Sequence, residues 1–423
     1  MRIIYIFFLI CFIAISFTDE MIDENLLFGQ EQSIATPNIM IDNKINDYFD
    51  KETNSFSGSF SSKGSYALNR NWLENDGAFK TNKLSAYSYV NILLDVRLKQ
   101  NFKTFLNLQA NSDSSTSTVS GNLSYSIKEL FMDMNINRNI YFRAGKQVLQ
   151  WSRTYFWNPS DVINTQKRNF FNLSEYREGT YGIKAHFPQG AGVNYYTFVE
   201  LNNANNIDEI GFAGKAEYLM GNNELAFSIW KKKGYYPIIA SDFSSKILGI
   251  DVLGELALSY GENTPRVKIE NGSPVVYKIS NKWVPKLALT LSKTYNWIYP
   301  DQISITWENF YNNSGYSENI FADSSLLYTM LTNNLYEPNY YAKYYSALFL
   351  SISKFPITDS SLNINTLANL VDGTGILSTG IAYAPVNNFV LGSTIYCFFG
   401  PTLGEYTYSG NRISIEFTST MSF

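Results

Sequence analysis

The sequence predicts an all-β fold, a transmembrane antiparallel barrel of about 18 strands, with 16 as the alternative count. Three observations carry this prediction. The chain opens on an apolar stretch too short to cross a bilayer. Its apolar content is high while its mean hydropathy is low. Apolar and polar residues alternate in recurring runs of about ten, the length a tilted membrane strand needs.

Arg2 is the only charge ahead of the apolar run 3–17. A spanning helix needs about 18 or more apolar residues, so this run has the proportions of a secretory signal. Residues 1–18 are therefore expected to be a signal peptide, with Ala14 and Ser16 at small-residue positions and Asp19 and Glu20 opening a polar mature end. Cys11 does not read as a lipidation site, because bulky Ile10 precedes it. Cys397 is then alone in the mature chain, which excludes an intramolecular disulfide.

The chain is 45% hydrophobic and 16% aromatic, yet its mean hydropathy is −0.16. Its apolar residues must be dispersed. In the last strand Ile413, Ile415, Phe417, Met421 and Phe423 take one parity, and Arg412, Ser414, Glu416, Thr418, Thr420 and Ser422 the other. Val90, Ile92, Leu94 and Val96 alternate with Asn91, Leu93, Asp95 and Arg97, and Ile303, Ile305 and Trp307 with Gln302, Ser304, Thr306 and Glu308. Such strands have one greasy and one wet face. A soluble sandwich would bury the greasy face in a core, whereas a membrane barrel turns it to lipid. The recurrence of long strands to the last residue favours the barrel, whose closure also removes exposed edges.

Connection lengths alternate as they do in bacterial barrels, where periplasmic turns are short and extracellular loops long. Long connections are expected at 67–83, 111–122, 150–178, 201–209, 233–245, 263–282 and 312–338. Tight links are expected at 99–101, 137–138, 188–190, 220–222, 355–358 and 385–387. The count of about 18 requires residues 246–262 to form a hairpin turning near Leu253-Gly254. The expected domains are the signal peptide 1–18, a periplasmic or plug-like N-terminal segment 19–55, and a barrel 56–423. The long loops would face outward and both barrel ends the periplasm.

Two resemblances follow. The chain ends on Phe423 at the apolar parity of its last strand, which resembles the C-terminal signature of bacterial outer-membrane proteins. That likeness implies recognition by the barrel-assembly machinery through Phe423. Residues 139–187 resemble porin-type outer-membrane channels, in which a strand ending Gly-Lys/Arg-Gln leads through a Trp into an Asn-Pro-x-Asp-Val loop. The matching positions are Gly145, Lys146, Gln147, Trp151, Asn158, Pro159, Asp161 and Val162; Ser152 stands where Gly usually follows the Trp. In many porins the third long loop, here 150–178, folds into the barrel and narrows it.

The same segment concentrates positive charge in a chain of net charge −4. Arg143, Lys146, Arg153, Lys167, Arg168, Arg177 and Lys184 are opposed only by Asp161, Glu175 and Glu178. A basic loop can set the sign of the field along a pore and favour anions, with Arg153, Lys167 and Arg168 as the loop residues chosen for that role. The competing reading pairs these cations with inward acids such as Glu129, Asp133 and Glu200, or leaves them facing solvent and lipopolysaccharide. Trp151, Tyr155 and Trp157, with Phe156, Phe170 and Phe171, either stack against sugars or pack the loop on the wall, and packing is the expectation. Trp230, Tyr235, Tyr236, Trp283, Trp297 and Tyr299 are expected in interfacial girdles.

No enzyme is expected. The one histidine, His186, falls on the polar parity, and no metal-ligand spacing or phosphate-binding loop is present. Neither cofactor nor metal is called for, and no nucleic-acid partner. The function the sequence implies is passive diffusion of small hydrophilic solutes, anions among them, through a porin-like channel in the bacterial outer membrane. Its partners would be outer-membrane lipid and lipopolysaccharide. The alternative is a surface-exposed barrel acting as adhesin, antigen or structural protein without an open pore.

Overall fold

The computed structural model describes residues 53–69, 83–98, 102–114, 122–137, 139–164, 166–173, 175–190 and 192–423. The expected signal peptide, and all but the end of the segment 19–55, lie outside these residues. Twenty strands follow one another: β1 (Thr53–Asn69), β2 (Lys83–Leu98), β3 (Phe102–Asp113), β4 (Asn122–Ile136), β5 (Ile140–Gln147), β6 (Thr180–Gln189), β7 (Val193–Glu200), β8 (Gly211–Met220), β9 (Asn223–Lys231), β10 (Ile238–Ile247), β11 (Ile250–Gly261), β12 (Arg266–Glu270), β13 (Ser273–Tyr277), β14 (Ser280–Tyr295), β15 (Ile303–Asn312), β16 (Tyr344–Ser353), β17 (Ser360–Asn369), β18 (Thr374–Val386), β19 (Phe389–Phe399) and β20 (Asn411–Ser422). One helix, α1 (Ser324–Thr332), lies between β15 and β16.

Eighteen strands form one sheet, each antiparallel to its neighbour in the chain, while β12 and β13 pair only with each other in a loop. β20 returns to β1, so the sheet closes on itself. Closure ends on the last residue: Phe423 and Gly58 exchange backbone hydrogen bonds of 3.0 and 2.9 Å. A Cβ at Gly58 would stand 2.6 Å from the Phe423 ring, so only glycine leaves that ring its seat.

The alternation read from the sequence becomes inside and outside. Across β1, β2 and β3, Ser59, Asn91 and Gln109 share a register and face the lumen, with Asn91 and Gln109 buried. The opposite parity carries Phe56, Phe212, Trp283 and Phe417, each at least 60% exposed. Each such side chain left in water forgoes roughly 1.5–3 kcal/mol, so an apolar belt repeated around every strand suits lipid and not solvent.

The long and tight connections alternate as expected, with one correction. The hairpin within 246–262 turns at Leu248-Gly249, not at Leu253-Gly254. Leu248 and Gly249 both have positive φ, at 53° and 72°, the conformation of a two-residue hairpin turn, and Ile247 pairs with Ile250. Gly254 instead sits mid-strand, where the Phe243 ring covers the space a Cβ would fill. β10 therefore begins at Ile238, and the loop expected at 233–245 shrinks to the residues between β9 and β10. Trp230 also departs from the girdle expected of it. It points inward, 7% exposed, and donates Nε1–H to Glu200 at 2.8 Å.

Candidate functional site

The segment from Val148 to Gly179 leaves β5 and returns to β6 after crossing the barrel. Its departure is fixed by the residues of the Gly-Lys-Gln motif. Gly145 holds φ 128°, and a Cβ there would meet the Leu130 carbonyl at 2.3 Å, so glycine permits the close approach of β4. Gln147, wholly buried, donates Nε2–H to the carbonyls of Arg143 and Gly182 at 3.2 and 3.3 Å. Asn164 then ties the loop to its own root, accepting from the Leu149 amide at 2.9 Å and donating to its carbonyl at 2.5 Å.

From there the loop runs along the wall of β7 to β11. Leu149, Trp151 and Ile163 pack on Phe198, Ala213 and Trp230. Arg153 reaches three carboxylates from three strands: Glu217 of β8, Glu224 of β9 and Asp242 of β10, the last at 2.6 Å. Burial alone would lower the Arg153 pKa, but Asp242, Glu224 and Glu217 outweigh it and hold the guanidinium above its ordinary value. Lys215 joins the cluster, 3.1 Å from Asp242, and donates to the Trp151 carbonyl at 2.5 Å.

The turn that follows is held by two buried wall carboxylates. Glu255 of β11 accepts from the Arg153 and Thr154 amides at 2.6 and 2.9 Å, and from the Ser160 amide at 3.2 Å and its hydroxyl at 2.7 Å. Glu308 of β15 accepts from the amides of Tyr155, Phe156 and Trp157 at 2.8, 3.0 and 2.6 Å, and from the Thr290 hydroxyl at 2.7 Å. Three successive N–H groups aimed at one carboxylate make an anion nest whose anion comes from the barrel. Asn158 closes the turn by donating to the Thr154 carbonyl at 2.7 Å.

Beyond the turn, Phe156, Trp157 and Phe170 enter an aromatic core with Phe310, Tyr345 and Phe349 of the wall and Phe321, Tyr340 and Tyr341 of the β15–β16 loop. Trp157 stacks on Phe310 with centroids 5.6 Å apart and planes at 9°. Phe171 reaches Tyr396 of β19 at 5.2 Å. The loop thus touches the wall from β7 round to β19, and the two apolar clusters occupy that side of the lumen. The remaining inner wall, from β20 through β4, presents Thr418, Thr420, Ser59, Ser61, Ser65, Asn91 and Gln109, with a cavity of about 270 Å³ lined by Lys63, Ser65, Lys83, Ser85, Tyr87 and Asp113.

Most cations singled out in the sequence are neutralised. Arg143 makes a two-pronged pair with Asp133 at 2.7 and 3.0 Å and lies 3.9 Å over the Phe131 ring. Lys184 stands opposite Arg143 on the lumen face of β6. Lys146 takes the outward parity beside Tyr181 and bonds Glu178 at 2.6 Å, apart from the others. Arg177 pairs with Asp161 at 2.9 Å, and Lys167 donates to the Asp161 carbonyl at 2.5 Å. Arg168 has no ion pair among the described residues, its Nε is buried without a partner, and burial and the neighbouring Arg177 lower its pKa. Trp151, Tyr155 and Trp157 lie between the loop and the wall, and Tyr155 meets Phe349 edge-on at 4.7 Å.

The wall acids Glu217, Glu224, Asp242, Glu255 and Glu308 escape the sequence reading. Each sits on the polar parity of its strand, which marks it as lumen-facing. Nothing local marks its partner, which lies from 64 to 153 residues away in the chain.

No protein-family model and no curated protein matches the chain. Solved structures do. A triple mutant of Rhodopseudomonas blastica porin is 8% identical, over 88% of this chain and all of its own, at a TM-score of 0.44. OccAB1 of Acinetobacter baumannii is 11% identical, over 88% of this chain and 96% of its own, at a TM-score of 0.51. The chain has a porin-like barrel fold. At these identities the likeness is one of fold alone. Within that fold, this porin-like barrel has its third long loop pinned across the lumen by wall carboxylates.

A second anchor holds the loops at the same rim. Glu405, between β19 and β20, accepts from the Asn339 amide at 2.8 Å, the Tyr345 hydroxyl at 3.0 Å and the Asn369 side chain at 3.1 Å. Burial raises its pKa from about 4.5 to about 7, with Asp372 adding to the shift, although the donors oppose it. A carboxyl raised on folding binds its proton more tightly in the folded state, so its stabilisation is full below about pH 4.5 and is lost as pH rises through about 7. Protection of the amides near Asn339 and Glu405, relative to their intrinsic exchange rate at each pH, is therefore expected to be higher at pH 5 than at pH 8, and Glu405→Gln should flatten the difference. Protection that rises with pH would count against this assignment.

Proposed function

We propose that the protein is an outer-membrane channel through which small hydrophilic solutes diffuse, with the crossing loop narrowing the path. The single observation that supports this reading most is the division of the lumen. Apolar clusters and the loop occupy one side, and hydroxyls, amides and ion pairs such as Lys63–Glu416 line the other. A barrel of this size has room for water as well as side chains. In this reading the outward apolar belt meets outer-membrane lipid and lipopolysaccharide. The rim bearing the long loops faces outside, and the C-terminal strand with Phe423 addresses the assembly machinery. Catalysis plays no part.

The finer reading is a preference for anions, centred on Arg168 with Lys167 beside it. Arg153 is better cast as an anchor, since three carboxylates surround it. A guanidinium with no ion pair of its own, between low-dielectric walls, concentrates anions and repels cations. Planar-bilayer recordings of the full chain should give discrete conductance steps, and their absence from folded protein would favour a closed surface barrel. In the Lys167→Ser, Arg168→Ser double variant the reversal potential should move toward cation selectivity at low salt. The shift should shrink at high salt through screening. An unmoved reversal potential would remove these residues from the selectivity role.

A further inference from the structure

On the outward face of β14 the wall is apolar through Leu287, Leu289 and Leu291, and the next residue of that parity is Lys293. Its register partner is Ile305 of β15, which pairs in turn with Leu350 of β16. A charge is therefore set among apolar neighbours on the face turned to lipid. Its ammonium stands 5.2 Å from the centre of the Tyr295 ring, two residues nearer the rim of tight links. A lysine on a lipid-facing strand leans in this way toward the membrane interface, where the cost of its charge falls away.

Two connections meet at that rim, 296–302 between β14 and β15 and 354–359 between β16 and β17. Gln302, 1% exposed, ties them together. Its side chain accepts from the Ile298 and Tyr299 amides at 2.8 and 3.2 Å and donates to the Lys354 carbonyl at 3.3 Å. This frame holds Trp297 and Ile298 out from the barrel, at 56% and 68% exposure, with the Trp297 and Phe355 ring centres 6.1 Å apart. The exposed Lys354 has its ammonium 4.8 Å from the centre of the Tyr299 ring. Among the described residues, what faces Lys293 and Lys354 is thus an aromatic ring and not a carboxylate. Asp301 and Asp359 are the acids of these two connections, and neither forms an ion pair with them. Aromatic side chains at a barrel rim sit at headgroup level, and ammoniums beside them meet lipid phosphate.

We propose that Lys293 and Lys354, with Tyr295, Trp297 and Tyr299, form a binding site for the headgroup of an anionic phospholipid. This rests on the outer-membrane reading above, in which the rim of tight links faces the periplasm. The full chain, folded into mixed phosphatidylcholine and phosphatidylglycerol vesicles and extracted in mild detergent, is weighed with its bound lipid by native mass spectrometry. Wild type should retain phosphatidylglycerol in preference. Lys293→Gln with Lys354→Gln should cut that retention roughly twentyfold, about fivefold for each ammonium, and leave phosphatidylcholine retention unchanged. Lys231→Gln, at the rim of long loops, should leave both unchanged. The two single variants, each expected to lose about fivefold, decide the matter if the double variant does not insert. Wild type that retains both lipids alike, or variants that retain phosphatidylglycerol as wild type does, would overturn the site and leave the channel reading intact. Wild-type protein that fails to insert into vesicles would overturn the membrane reading, and the site with it.

Discussion

Glu308→Ala is expected to free the tip of the crossing loop and to raise single-channel conductance severalfold. The carboxylate is wholly buried and receives the amides of Tyr155, Phe156 and Trp157 and the Thr290 hydroxyl. Removing it leaves those donors unpaired, at about 1–3 kcal/mol for each that finds no water. The loop has an alternative, because it can lift from the wall and hydrate its amides in the lumen. Lifting also pulls Phe156 and Trp157 from the aromatic core, where truncation of a large ring costs about 3–5 kcal/mol. The wall and the loop turn should therefore separate together. Conductance, current noise and amide exchange at residues 154–160 report the release. A variant with wild-type conductance and wild-type protection at those amides would show that Glu255 and the aromatic core hold the loop unaided.

Arg153→Met is expected to destabilise the barrel and turn the pore toward cations. It removes the one guanidinium shared by Glu217, Glu224 and Asp242. The Asp242 side chain is 1% exposed and keeps only Lys215 at 3.1 Å, so it bears most of the loss; Glu224, at 32%, can hydrate. Breaking a buried ionic cluster by removing one partner costs about 3–5 kcal/mol, and the more exposed acids lower the share they contribute. Arg153→Lys should recover little, because one ammonium cannot serve three carboxylates in three directions. Urea midpoints in detergent measure the first effect and reversal potentials the second. If combining Arg153→Met with Glu217→Gln and Glu224→Gln, which leaves Asp242 balanced by Lys215, is no more stable than Arg153→Met alone, the loss comes from missing contacts and not from orphaned charge.

Local pattern determined much of this protein. A period of two residues is a property of neighbours in the chain, so the inward face of Ser304, Thr306 and Glu308 and the outward face of Ile303, Ile305 and Trp307 can be read directly. Alternation also gave about 18 strands with 16 as the alternative, while the inserted loop at Gly145–Val162 was implied by the resemblance to porin-type channels. The turn at Leu248-Gly249 is harder to place, because Leu253-Gly254 offers the same residue pair further along the same run. Which glycine turns is decided by the register of β10 on β11 and by the Phe243 ring that claims Gly254.

The roles of the charges could be settled only in three dimensions. Composition marks a basic loop and parity marks acidic lumen residues, yet neither can match Arg153 to Glu217, Glu224 and Asp242, or the amides of residues 155–157 to Glu308. These pairings depend on where a folded loop meets a closed wall far along the chain. Sequence distance carries no information about that meeting. The tertiary structure therefore turned Arg153 from a pore charge into an anchor and left Arg168 as the loop guanidinium without an ion pair among the described residues.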